Sequence, residues 1–223
     1  MGKSGTTPVV GQVKTVARTT NGNEDNTWMI VQRTIGSTVK YFVEMLAQPF
    51  GVTDAHANAF FVDCGITVTH GSPATTVSGL AHLEGQAVYA LVDSVQYGPF
   101  TVSSGEITTL SATNVQVGLL YEMVVETVPL NVQQELSLTA KRKRLFKAFA
   151  NMYRSLAGKI GTPDLVYDMD YPTATTNPPE LQSGIIETSI PDNSERQLIA
   201  RFEQENVHPC NLLAITSEVH VGV

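Results

Sequence analysis

The sequence predicts an all-β protein: a hairpin and sheet region, a small inserted β-barrel or sandwich, and little helix. Two observations carry this. Valine (26) and threonine (25) make up nearly a quarter of the 223 residues, and such β-branched side chains are stiff at χ1 and pack well on a pleated surface. Short runs of alternating polarity are also separated by Gly, Ser, Asn and Pro along the chain, the punctuation of strands and turns. The length is enough to bury a core in one large or two small domains.

In chain order, residues 1–8 (MGKSGTTP) read as a loose polar arm. A strand follows at 9–20, where Val9, Gly11, Val13, Thr15 and Ala17 alternate with Val10, Gln12, Lys14, Val16 and Arg18. Residues 21–26 (NGNEDN) form a turn cluster. TWMIVQR and TVKYFVEML then flank TIGS, which predicts a hairpin from Thr27 to Leu46. Trp28, Ile30 and Gln32 share one of its faces; Met29, Val31 and Arg33 share the other. The stretch 47–78 reads as loop-rich around one apolar run, AFFVDCGITVTH. Strands at 87–95, 98–104, 106–110 and 115–128 are close enough for a small barrel or sandwich.

Residues 140–157 fit two patterns. Leu145, Phe149, Met152/Tyr153 and Leu156 lie at helical spacing, whereas Phe146, Ala148, Ala150 and Met152 alternate like one face of a strand. Periodicity alone slightly favours the helix. Residues 161–179 hold four prolines and read as a long surface loop. Strands follow at 184–190, 196–203 and 212–223, the last long enough to close a sheet. The expected division is a main β-sheet domain, 9–78 with 131–223, and a barrel-like domain at 79–130.

Charge is the least ordinary feature. The formal net charge is −7, yet Tyr41 to Ala140 contains no Lys or Arg against nine carboxylates. Lys141 to Lys159 then holds seven basic residues and no acid, and 160–223 has ten carboxylates against Arg196 and Arg201. A long cation-free stretch repels a phosphate backbone over about 10 Å at 0.1 M salt, so most of this surface is not a grip for nucleic acid. The basic run Lys141, Arg142, Lys143, Arg144 is a subunit-interface candidate, meeting an acidic neighbour; that reading stands ahead of a DNA contact and about level with a simple solvated end.

Other chemistry is weakly signalled. GKS at residues 2–4 lacks the strand and earlier glycine that a phosphate loop needs. His56, His70, His82, His208 and His220 are scattered, and Cys64–His70 and His208–Cys210 match no zinc spacing. No GxSxG elbow is present. Tyr167, Asp168, Asp170 and Tyr171 form a possible ligand loop, with acids for a sugar and rings to stack on it, but adjacent-but-one acids in a Pro-rich loop are more often simply solvated. Cys64 and Cys210 are expected as two buried thiols of a reducing compartment rather than a disulfide. No apolar run nears the roughly 20 residues of a membrane span, and 1–10 lacks a signal-peptide core. No cofactor, metal, catalytic residue or membrane partner is expected.

One ordered series of residues resembles a known family. Trp28, Arg33, Tyr41 and Glu44 are followed by Gly79, Leu80, His82, Leu83, Glu84, Gly85 and Val88, then by Val117, Gly118, Leu119 and Tyr121. With the late stretch IPDNSERQLIARFEQENVHPCNLLAITSEVHVGV, this resembles the C-terminal part of the tail hub or nozzle (packaged-DNA-stabilisation) proteins of short-tailed bacteriophages, over about 12–223. Members are usually longer, with a β-propeller-like region ahead of this part. The resemblance implies a strand rather than a helix at 142–156, and that reading is adopted. It also implies a structural, non-enzymatic virion protein of the tail, assembled in the host cytoplasm. Its expected partners are copies of itself in a ring of six or twelve, an adaptor or portal-side ring, and distal tail or fibre proteins, with DNA passing through unbound. The alternative is a tail-associated β-sandwich that binds carbohydrate or a receptor through the 163–180 loop.

Overall fold

The computed structural model describes residues 11–21, 24–129, 142–156, 158–169, 171, 178–191 and 196–221. The described residues are all-β: 65% of them lie in strands, in four antiparallel sheets, and none belongs to a helix of seven or more residues. It divides into two compact units, 1–121 and 122–223.

The first unit holds two sheets. In one, β1 (Gln12–Asn21), β2 (Glu24–Ile35) and β3 (Thr38–Met45) lie in sequence order. The expected hairpin is there: Ile35 pairs with Thr38 and Trp28 with Met45. Gly36 takes φ +61° at the first turn position, a backbone state only glycine adopts without cost, and one that suits the twist of a two-residue hairpin. The second sheet has the order β4-β7-β5-β6, from β4 (Asp63–Ser78), β5 (Ala87–Val92), β6 (Val95–Thr101) and β7 (Glu106–Leu119). Its core is Val77, Leu80, Leu83, Val88, Ala90, Val92, Val102, Ile107, Val115 and Val117, joined by Ile35 from the hairpin.

Several expectations are corrected here. A domain boundary at residue 78 would cut β4 away from β7, its partner from Asp63 to Ser78, so 79–130 is not a separate barrel. Residues 71–78 are strand rather than loop, because Gly71-Ser72-Pro73 falls where the register slips between Thr69 and Ala74. A slip leaves residues without ladder partners and so tolerates a proline. The strands expected at 106–110 and 115–128 are divided differently: Glu106–Leu119 is one continuous β7, and Met123–Glu126 is a separate strand.

The second unit also holds two sheets, β11-β10-β13-β8 and β12-β9-β14. They comprise β8 (Met123–Glu126), β9 (Lys143–Ser155), β10 (Lys159–Thr162), β11 (Leu165–Asp168), β12 (Gln182–Ser189), β13 (Arg201–Gln204) and β14 (Leu212–Val221). The ambiguous stretch is thus a strand. Its register against β14 slips between Leu145 and Lys147, so buried positions run Leu145, then Ala148, Ala150, Met152. That one step of three imitates a helical interval. The 161–179 stretch is not all loop, since β10 and β11 form a hairpin turning at Pro163-Asp164. The strand expected at 196–203 begins only at Arg201. β14 closes no sheet and lies at an edge. Phe202, Leu198, Ile160, Leu145 and Met152 are the centre of this core.

Candidate functional site

Arg33, Glu44, His82 and Glu84, singled out in the sequence, lie in the first unit, and each has a structural partner there. Arg33, on β2, is 3% exposed. Its Nε and one terminal nitrogen donate to both oxygens of Glu44 on β3, each at 2.8 Å. Its terminal nitrogens also donate to Asp63 of β4 at 2.6 and 2.7 Å. One guanidinium therefore clamps three strands from two sheets, using the planar fork that lysine lacks. Burial disfavours its charge, but the bonds to Glu44 and Asp63 outweigh that and raise its pKa further. A Cβ on Gly11 would lie 2.8 Å from the guanidinium carbon, so the chain entering β1 passes directly against the clamp.

The GLAHLEG block (79–85) is a folded bracket. Leu80 and Leu83 are fully buried, and Gly79 and Gly85 take φ +94° and +74°. The Glu84 carboxylate accepts from the amides of Ser104 at 2.9 Å and Gly105 at 2.7 Å. The His82 ring Nε2 lies 3.0 Å from the Cys64 carbonyl, with Phe42 set edge-on to it. Asp93 likewise accepts from the amides of Thr113 and Asn114, and Asp54 from Gly51. Much of the acidity of the cation-free stretch is thus spent holding turns while remaining at the surface.

The basic run is placed differently from the expectation. Lys141 lies outside the described residues. Lys143 is 2% exposed, and its amine donates to the Arg196 carbonyl at 2.9 Å, so it pins an internal segment and is not offered to a neighbouring subunit. Arg142 and Arg144 are exposed. Farther along, Lys147 pairs with Glu187 at 2.5 Å and Lys159 with Glu205 at 3.3 Å. Of the described residues of the run, Lys143 is therefore turned inward, while Arg142 and Arg144 remain exposed.

In the possible ligand loop, Asp170 lies outside the described residues. Tyr167 and Tyr171 pack partly against the core of the second unit, and the Tyr167 hydroxyl donates to the Pro191 carbonyl at 3.4 Å. Asp168 is exposed. Both rings are therefore half-buried, partly packed against that core.

Sequence reasoning missed a carboxylate group made by Glu122, Glu203 and Glu205, whose oxygens lie within 4.8 Å of one another. Arg201 sits among them, 3.8 Å from Glu122, 2.8 Å from Glu126 and paired with Glu203. With Lys159 on Glu205, two protein cations offset part of the charge of this cluster. It was invisible in the sequence because β8 and β13 are about 75 residues apart and meet only through sheet pairing. No histidine joins a metal-binding group among the described residues.

Both cysteines are free thiols. Burial, then the nearby Glu44 charge, pushes the Cys64 thiol up to about 12, and burial alone does the same for Cys210. An unfolded thiol titrates near 8.5, so between about pH 8.5 and 12 the unfolded chain loses protons the folded one keeps. The stability these thiols contribute is complete below that window and falls through it. Between pH 8 and 10.5 the protein is expected to lose about 4 kcal/mol more stability than its Cys64→Ala/Cys210→Ala variant, about 2.5 of it from buried Cys210 and less from the more exposed Cys64. Parallel urea titrations check this, and equal losses would show that neither thiol is held protonated.

No protein-family model matches the chain, and no curated protein matches it.

Proposed function

We propose that this protein is an architectural subunit of a bacteriophage tail: a hub or nozzle ring that continues the DNA exit channel and connects an adaptor ring to distal tail parts. The observation that carries this reading is the sheet β4-β7-β5-β6, which holds no Lys or Arg from Asp63 to Leu119. Its exposed positions are mainly Thr and Ser with Asp93 and Glu106, for example Thr67, Thr69, Thr76 and Thr108. Such a wall offers phosphate no counter-charge and repels it at short range, which is what a conduit for DNA needs. The resemblance-bearing residues support the same reading, since they are spent on clamps, turns and core rather than on groups poised for chemistry. Subunits of such a ring contact one another head to tail, through different surfaces on neighbouring copies.

Multi-angle light scattering of the purified chain tests this. The expected result is a closed assembly of six or twelve copies of the 24.1 kDa chain, with no retention of double-stranded DNA at low salt. Tight, salt-sensitive DNA binding would overturn the channel reading.

A further inference from the structure

We infer that the outer face of the β1-β2-β3 sheet is where a second copy of this chain packs, an inference that rests on the ring reading above. Cross-strand register places Trp28 beside Met45, Ile30 beside Val43, Gln32 beside Tyr41 and Thr34 beside Val39. These eight side chains share one face, because residues directly opposite on antiparallel strands point the same way. The other face does the work of folding: Val31, Arg33 and Ile35 are buried there. The outer face is left open, with Trp28, Ile30, Val39, Tyr41, Val43 and Met45 between 37% and 72% exposed.

Two properties fit a second copy. The first is area. Side chains of this size expose about 150–250 Å² each when free, so these six present on the order of 600 Å². Thr15, Ala17 and Thr19 of β1 continue the same face, bringing the patch near the roughly 800 Å² per partner of a standard stable interface. The largest apolar patch on a monomer is usually only about 300–600 Å². The second is charge. A chain at −7 repels its own copies, so a self-contact is favoured where the surface is neutral. From Trp28 to Thr34 and from Val39 to Met45 this face carries no charged side chain; Lys14 in the β1 edge bulge has its amine on Gln12.

The tryptophan is fixed for the role. Its indole nitrogen donates to Thr19 Oγ1 at 3.1 Å, which orders a large amphipathic ring before any partner arrives and so lowers the entropy cost of docking.

The test is light scattering of the full chain and its Val43→Glu and Ile30→Glu variants across concentration. Both residues are exposed, so the monomers fold, with circular dichroism and melting temperatures close to wild type. A carboxylate buried without a partner weakens association by at least about 100-fold, so both variants are expected at the monomer mass at concentrations where the wild type is assembled. Thr108→Glu, on the exposed side of β7, leaves the assembly unchanged. Because the contact is apolar, raising salt to about 1 M should not dissolve the wild-type assembly. An assembled Val43→Glu or Ile30→Glu variant overturns this face as the contact and leaves the ring reading standing. A wild type that stays monomeric to about 100 µM overturns the self-contact and the self-assembling ring together.

Discussion

Gly118→Ala is expected to destabilise the first unit by about 3 kcal/mol or more, within the range that core overpacking and backbone displacement produce. The cause is a place where two strands touch without side chains between them. The β4–β7 register slips between Asp63 and Ile66, so Cys64 and Gly65 bulge across β7. Cys64 is held at φ +51°, a state that disfavours any residue with a Cβ. A Cβ on Gly118 would lie 2.7 Å from the Gly65 Cα and 2.8 Å from the Asp63 carbonyl oxygen. A Cβ on Gly65 would lie 2.5 Å from the Val117 carbonyl oxygen. None of these neighbours is a flexible side-chain tip; relief requires moving a strand away from its partner. Gly71→Ala is the internal control, since nothing lies within 4 Å of the Cβ it would gain, and it should change stability by under about 0.5 kcal/mol. Urea unfolding of both variants decides the matter. A Gly118→Ala protein within about 1 kcal/mol of wild type would mean that the two backbones do not meet this closely.

How much of this was legible in the sequence depends on whether a signal was local. The 27–46 hairpin could be read because Gly36 separates two runs of clean alternation, and the all-β class because the β-branched bias is spread over the whole chain. β9 could be read two ways because a single bulge at Phe146-Lys147 puts a three-residue step into a two-residue pattern. The second half of β4 and the β10–β11 hairpin were missed for one reason: Pro73 and Pro163 are loop signals, yet one sits in a register slip and the other in a tight turn. Lys143 shows the limit for charged residues, since a lysine within KRKR gives no local sign that it will be buried. The openness of the Trp28–Met45 face could not be read either. Met29 and Val31 make the opposite face look equally apolar, and only the long-range arrival of β4 decides which of the two is covered.

Replacing Arg33 by Met is expected to cost about 3 kcal/mol, toward the lower end for breaking a buried ion pair because Asp63 keeps contact with water. The Arg33 side chain is 2% exposed against 16% for Glu44 and 36% for Asp63. Removing the guanidinium leaves two carboxylates facing one another across β2 with four hydrogen bonds lost. The penalty is mainly that of the abandoned charges, so neutralising them should recover much of it: Arg33→Met/Glu44→Gln/Asp63→Asn is expected to be more stable than Arg33→Met alone. Arg33→Lys should recover less than half, because one ammonium cannot span both carboxylates as a planar fork does. The clamp joins β2 and β3 to β4, so it also fixes the hairpin, and the apolar face it carries, to the cation-free sheet. Arg33→Met is therefore expected to weaken assembly under conditions where the variant is still folded, although Arg33 lies on the opposite side of the hairpin from the proposed contact. Urea unfolding together with light scattering separates the two effects. A variant that is destabilised yet assembles as tightly as wild type would show that the hairpin presents its face without being held to β4.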